Sequence, residues 1–282
     1  MTVQPTTKQD PPQPRFATTH LQTGPRLHYA EQGHTGAEPL VLLHGYTDSW
    51  FSFSRLLPHL SPDRYHAYAL SQRGHGDSER PAEHYGMDDF ALDVVAFLDA
   101  VGVAQATLVG HSMSSLIARR VAEMHPERVV RLVLIAAVGT PVNAAVRELQ
   151  EAVRALDDPV PVAFARDFQA STLYAPVPEP FLEQVVAESL KLPARVWRSV
   201  VDGLVAFDDS SELGRIRAPT LLLWGERDTY FLRDEQDRLV SAIRGARLLV
   251  YPDIGHSPHW ERPEQVANDL DAFLRDASPI HR

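Results

Sequence analysis

Short apolar runs that alternate with stretches of helical spacing constrain this chain more than any other feature. Leu40–Leu43, Ala106–Val109, Val129–Ala137, Thr220–Trp224 and Arg247–Tyr251 are each only a few residues long. Short, largely continuous runs of this kind fit strands covered on both faces. Arg26–Glu31 alternates like the edge strand of a hairpin, and Tyr65–Leu70 is a weaker strand leading into a glycine-rich loop. Met87–Val101 carries apolar residues at 90, 94, 97, 98 and 101, which is helical spacing. Ser114–Met124 is helical up to Pro126, and a last helix is expected near Pro263–Arg275. Such alternation gives an α/β fold: a mostly parallel sheet with helices on both faces.

The alternation stops after Ala137. Residues 138 to about 213 read as helical throughout, punctuated by prolines at 159, 161, 176, 178, 180 and 193. That block is expected to be an insertion lying as a lid over one end of the sheet. The organisation expected is therefore a polar N-terminal arm over 1–15, with four prolines, a core formed by 16–137 and 214–282, and a helical cap over 138–213. A chain of 282 residues with 44% apolar and 23% charged residues can bury such a core unaided. Its net charge of −10, with no basic run, disfavours nucleic acid and anionic membrane surfaces as partners. The absence of cysteine excludes a disulfide framework, a thiolate metal site and a cysteine nucleophile. No stretch of 18 apolar residues and no apolar leader segment is visible, so a soluble cytoplasmic protein is expected.

The sharpest chemical signal is Leu108-Val109-Gly110-His111-Ser112-Met113-Ser114. A strand enters Gly110 and a helix starts after Ser112, the context of a nucleophile elbow. A serine there projects its hydroxyl above the sheet, at the positive end of a helix dipole. The usual pattern is G-x-S-x-G; here the last position is Ser114, small enough to be tolerated. The competing role for Ser112 is an ordinary helix N-cap, and Ser114 and Ser115 are the next nucleophile candidates. A serine nucleophile needs a base, and the base needs an orienting carboxylate. Leu221-Leu222-Leu223-Trp224-Gly225-Glu226-Arg227-Asp228 is a buried strand followed by an acidic loop. Asp228 is the expected acid, with Glu226 as its competitor. Val250-Tyr251-Pro252-Asp253-Ile254-Gly255-His256 ends a strand in a histidine loop, though with 13 histidines in the chain a loop histidine serving only water is the alternative. The order serine, acid, histidine is what makes the set specific. Leu43-His44-Gly45-Tyr46 ends another strand. Its loop can bring the Tyr46 N–H beside that of Met113, as two donors for an oxyanion. The alternative for Gly45 is a plain strand-to-loop turn.

With these segments in hand, the chain resembles the α/β-hydrolase fold family. The matching stretches are HGYT at 44–47, RGHGDS at 73–78, GHSMS at 110–114, WGERD at 224–228 and GHSPHWERP at 255–263. It looks like the capped branch that holds epoxide hydrolases, haloalkane dehalogenases, cofactor-free haloperoxidases, lactonases and esterases. The resemblance implies an eight-stranded, mostly parallel sheet with a helical cap between the sixth and seventh strands. It implies Ser112 as nucleophile, Asp228 as acid, His256 as base, and the Tyr46 and Met113 amides as oxyanion donors. Ser71–Ser78 is similar to the branch's D-x-R-G-x-G-x-S loop, with Ser71 where aspartate is usual. Arg73 and Asp77 are expected to pin neighbouring loops. His111, His259 and Trp260 are expected to pack around the site, and Trp50, His111, Phe168, Tyr174 and Trp197 to contribute pocket wall.

Serine at 112 sets aside the epoxide hydrolases and dehalogenases, which need a carboxylate there. It supports acyl chemistry on a small or medium apolar ester or lactone, with no metal and no cofactor. His44, His75, His111 and His256 show no H-x-x-x-H or H-E-x-x-H spacing. The same triad could serve carbon–carbon bond hydrolysis or peracid formation. A ligand receptor on the same scaffold is the third possibility.

Overall fold

A computed structural model describes residues 13–139 and 142–276. Eight strands form one sheet: β1 (Arg15–His20), β2 (Arg26–Gln32), β3 (Glu38–Leu43), β4 (Tyr65–Ser71), β5 (Ala106–His111), β6 (Val129–Ile135), β7 (Thr220–Gly225) and β8 (Arg247–Tyr251). Nine α-helices accompany them among the described residues: α1 (Met87–Ala100), α2 (Met113–Met124), α3 (Ala144–Arg154), α4 (Val162–Ser171), α5 (Glu179–Ser189), α6 (Ala194–Val205), α7 (Arg233–Ala242), α8 (Pro258–Glu261) and α9 (Pro263–Arg275). None of the described helices is long and apolar enough to cross a membrane.

The strand order is β1-β2-β4-β3-β5-β6-β7-β8. Only the β1–β2 and β2–β4 pairings are antiparallel, and every other neighbouring pair is parallel. Successive side chains of the central strands enter opposite layers, as the two-residue period of a strand demands. Val41, Leu43, Leu132 and Leu134 join one apolar cluster with α1, α2 and the inserted helices. Leu40, Leu42, Val133 and Ile135 join the other, against α9. Both faces are covered, which is why these strands read as unbroken apolar runs.

Four helices, α3 to α6, fill the stretch between β6 and β7. They share the larger apolar cluster with the sheet: Trp197, Val200 and Leu204 of α6 pack with Leu43, Leu108 and Met113. The expected arm over 1–15 needs a correction at its end. Arg15 opens β1, where it pairs with Glu31 in register and by a 3.2 Å ion pair; residues 1–12 lie outside the described residues. Three of these elements had no counterpart in the sequence reading. They are β1, whose RFATTH alternates only weakly, α7, whose RDEQDRLVSA is too polar to show a stripe, and the four-residue α8.

The strand order puts a reversal between β3 and β5: the chain leaves β3 toward β4 on one side and leaves β5 toward β6 on the other. In open α/β sheets a crevice opens at that point, outside the carboxyl ends of the strands. Leu43 and Gly110 are register partners, so the loops after β3 and β5 begin side by side.

Candidate active site

The turn after β5 is made by close packing. A Cβ built on Gly110 would lie 2.2 Å from the Ser114 carbonyl oxygen, so only glycine allows the strand and helix to meet there. Ser112 is held at φ 51°, ψ −120°, a conformation that costs a non-glycine residue about 1–3 kcal/mol. An N-cap residue sits in the extended region and accepts a bond from the helix. The Ser112 backbone is not extended and its side chain makes no capping bond, only its carbonyl accepting the Ser115 N–H at 2.8 Å. The hydroxyl instead lies 2.8 Å from His256 Nε2.

The remaining partners come from neighbouring strand ends. Asp228 follows β7 and His256 follows β8. His256 Nδ1 donates to Asp228 Oδ2 at 2.8 Å. The other carboxylate oxygen, Oδ1, accepts the backbone N–H of Tyr230 at 2.8 Å and of Phe231 at 3.2 Å. Asp228 is thereby fixed on both sides, and it is buried. Glu226, the competing acid, is exposed. The rings of Tyr230 and Phe231 lie 5.2 and 5.6 Å from that of His256 and shield it.

The loop after β3 carries Tyr46, one of the two residues expected to supply an oxyanion donor. Neither the Tyr46 nor the Met113 N–H makes a hydrogen bond among the described residues, and both sit at strand ends that the β3–β5 register aligns. Thr47, the next residue, holds φ 66°. Ser114 explains its own place in the elbow: its hydroxyl donates to the His44 carbonyl and accepts from Gln72 Nε2 at 2.9 Å. Serine there ties the elbow to the β3 loop, where glycine could only permit approach. Gly45 is needed for closeness: a Cβ would come within 2.7 Å of His111 Nδ1.

Behind Ser112, His256 and Asp228 lies a buried polar layer that the sequence reading did not anticipate. The Asp48 carboxylate accepts from Ser52 Oγ at 3.2 Å and from Gln169 Nε2 at 3.0 Å. Burial pushes its carboxyl up to about 7, against the lowering effect of those two bonds. His111 Nδ1 is 3.9 Å from Asp48. Burial, joined by the imidazoles of His259 and His256, holds His111 well below its usual range, so this contact is not an ion pair. His259, also buried, is pushed down to about 3 and shares Ser52 Oγ with Trp260 Nε1 at 3.1 and 3.0 Å. The signals available for this layer were the consecutive polar residues Thr47-Asp48-Ser49 after an apolar strand, and Gln169 on the buried face of α4 with Ala165.

The expected wall residues divide. Phe168 is half-buried and packs edge-on against Tyr46 at 5.6 Å and Tyr230 at 6.5 Å. It lines a cleft of about 410 Å³ between α3, α4 and the Asp228 loop. Trp197 is fully buried behind Tyr46, whose hydroxyl donates to the Trp197 carbonyl. Two expectations need correcting. Tyr174 has 55% of its surface exposed, because its ring lies under the Arg227 guanidinium at 5.5 Å rather than in an enclosed wall. Trp50 lies tilted against Phe16 of β1 and edge-on to Phe51, so its contacts support the sheet edge. His111 lies under the triad, donating to the His256 carbonyl at 3.1 Å. Arg73 does pin a loop: it donates to the His84 carbonyl, and two 2.6 Å bonds anchor it to Asp93 of α1. Asp77 reaches Lys191 at 3.0 Å.

Residues 38–263 match the family model described as alpha/beta hydrolase fold. The chain belongs to the α/β-hydrolase fold family. A dihydrolipoyllysine-residue acetyltransferase component of the acetoin cleaving system from Pseudomonas putida is 31% identical over 264 residues, covering 89% of this chain and 67% of that protein. Lipase 3 from Moraxella sp. (strain TA144) is 26% identical over 262 residues, covering 90% of this chain and 82% of the lipase. An esterase from Exiguobacterium antarcticum superposes with a TM-score of 0.84 over 92% of this chain and 99% of its own, at 21% identity, a likeness of fold.

Proposed function

We propose that this α/β hydrolase is a serine hydrolase that cleaves a small or medium apolar carboxylic ester or lactone through an acyl-enzyme. The observation that carries the reading is the unbroken line Ser112–His256–Asp228, with both contacts at 2.8 Å. His256 Nε2 takes the Ser112 proton as Oγ attacks the substrate carbonyl. The resulting oxyanion is met by the Tyr46 and Met113 N–H groups, and α2 presents its positive end to it. Asp228 holds the imidazole in the tautomer with the proton on Nδ1 and stabilises the imidazolium. The proton then passes to the leaving alkoxide. Water, activated by the same imidazole, attacks the acyl-enzyme carbonyl and releases the acid. Each developing charge is met by a protein group, so the scheme calls for no cofactor. The lipase relative supports ester hydrolysis in general.

The inserted helices serve as the cap in this reading. Phe168 and Tyr230, whose ring lies beside that of His256, line a cleft next to the Asp228 loop, and Ser112 and His256 are not among its walls. A small-molecule substrate is proposed. The test is labelling with a fluorophosphonate probe, followed by a panel of p-nitrophenyl esters and lactones of increasing acyl length. Labelling at Ser112 and turnover that peaks at short to medium acyl chains are expected. No labelling of the folded protein, or equal labelling of Ser112→Ala, would remove the mechanism.

A further inference from the structure

One short segment of the inserted helices touches the loops after β3, β7 and β8. Gln169, on the last turn of α4, is 1% exposed. Its Nε2 donates to Thr47 Oγ1 at 3.2 Å and Asp48 Oδ1 at 3.0 Å in the loop after β3, and to Ser189 Oγ of α5 at 2.8 Å. Two residues on, Ser171 Oγ lies 2.8 Å from the Tyr230 hydroxyl in the Asp228 loop. The Thr172 carbonyl accepts the His256 backbone N–H at 2.9 Å, and its hydroxyl accepts from Ser257 at 3.3 Å. Tyr174 and Ala175 donate their N–H groups to Glu261, which also accepts from Gly255 beside His256.

We propose that Gln169–Ala175 is the positioning element of the site, with Gln169 setting the aim of the Tyr46 N–H, so that turnover requires this segment to be seated. The inference rests on the serine-hydrolase reading above. The physical reason lies in Thr47. Its left-handed φ of 66° is one a threonine avoids unless its surroundings impose it. Those surroundings are Gln169 and Ser189 on the Thr47 hydroxyl, and Gln169 again on the neighbouring Asp48 carboxylate. If Gln169 is lost, Asp48 keeps Ser52 as a donor and Thr47 keeps only the 3.3 Å Ser189 contact; the loop can then relax its φ, and the amide one residue before Thr47 turns with it. The acid and base loops are held by backbone and hydroxyl contacts of the same segment, so lifting α4 loosens all three together. Gln169 touches no reacting atom in this scheme; it acts through the loop.

A misaimed oxyanion donor harms only the state in which the oxyanion exists, so the loss belongs in kcat and not in KM. The variant is Gln169→Leu, which keeps the volume and removes the amide. The measurements are kcat and KM with p-nitrophenyl butyrate, and inhibition by an aryl trifluoromethyl ketone, whose adduct with Ser112 carries an oxyanion. Deleting one donor outright typically costs about 100- to 1,000-fold, so a misaimed one should lower kcat by about 10- to 100-fold, with KM within twofold and ketone affinity reduced by a similar factor. Leu270→Ala, buried in α9 in the apolar layer on the other face of the sheet, is the control for general loss of packing. It should lower the melting temperature while keeping kcat per folded molecule within twofold. Unchanged kcat and ketone inhibition in Gln169→Leu, or an equal loss in Leu270→Ala, would overturn the inference. Wild-type protein that fails to label with the fluorophosphonate would instead overturn the serine-hydrolase reading, and the inference with it.

Discussion

Replacing Asp228 by asparagine changes one atom, and its hydrogen-bond partners dictate how that atom acts. Oδ1 accepts two backbone N–H groups, from Tyr230 and Phe231. In Asp228→Asn the amide oxygen must keep that place, which points the NH2 group at His256 Nδ1. A donor facing Nδ1 demands the tautomer with its proton on Nε2, and that imidazole cannot accept the Ser112 proton. The correct tautomer returns only if the amide flips. The flip sets NH2 against two N–H donors, and each group left without an acceptor in a buried site costs about 1–3 kcal/mol. Two of them cost about 2–6 kcal/mol, which at about 1.4 kcal/mol per decade is a rate loss of roughly 30-fold to 30,000-fold. The roughly 10,000-fold loss found for the same change in a serine protease lies inside this range. The shape and most hydrogen bonds persist, so the melting temperature should move by only a few degrees. The assay is kcat for p-nitrophenyl butyrate, beside a thermal melt of the same preparation. A loss below tenfold in a folded variant would refute the tautomer argument. A larger loss in Glu226→Gln would transfer the acid role to a side chain that the structure leaves exposed.

Ser112→Ala should abolish ester turnover with the fold intact, checked by activity and circular dichroism together; retained activity would move the nucleophile to Ser114 or Ser115. Asp209→Ala should destabilise the protein by about 3–5 kcal/mol in urea titrations, because Arg119 is fully buried and would keep only the Val138 carbonyl after losing its 2.8 and 2.9 Å bonds to Asp209. Asp48→Asn should flatten the dependence of stability on pH. Between about pH 4 and 7 the folded protein keeps a proton on Asp48 that the unfolded chain has released, so stability falls as pH rises across that window. Glu123, also raised to about 7, adds to the wild-type slope. The difference between wild type and variant is therefore the quantity to read, up to about 1.4 kcal/mol per pH unit. A wild-type slope preserved in the variant would show that Asp48 is ionised throughout.

The strands were legible because each is buried on two faces. Leu40–Leu43 has no polar position to blur it, and its two sides enter separate apolar layers. Edge elements lack that signature. β1 exposes most of its residues, and β8 has three exposed positions in five; β8 was found only because LLVY stays apolar in sequence. α7 escaped for a related reason. It buries just Glu235, Gln236 and Leu239, and two of those three are polar, so no stripe exists to be read. Glu235 in addition caps its own helix by accepting the Leu232 N–H, a local bond that a search for apolar period cannot register.

The site divides along the same line between local and distant causes. Ser112 could be read because the elbow is a local event: glycine, serine and a small residue within one turn, followed at once by a helix. Asp228 and His256 could be read because each closes a strand, and parallel strands deliver their ends to one edge. Gln169 had neither advantage. It is one polar residue in a helix, more than 120 positions from the loop it holds, and α4 carries no motif. The wall residues Tyr174 and Trp50 failed for a matching reason. An aromatic residue in a loop or helix gives no sign of which way it faces, and the cation of Arg227 decides the matter for Tyr174. Chemistry that depends on a strand end is written beside that strand. Support that depends on packing between distant elements is written nowhere in one place. The positive φ of Thr47 joins the two: a strained residue next to the proposed oxyanion donor marks a loop that something else must hold, and the inserted helices are what reaches it.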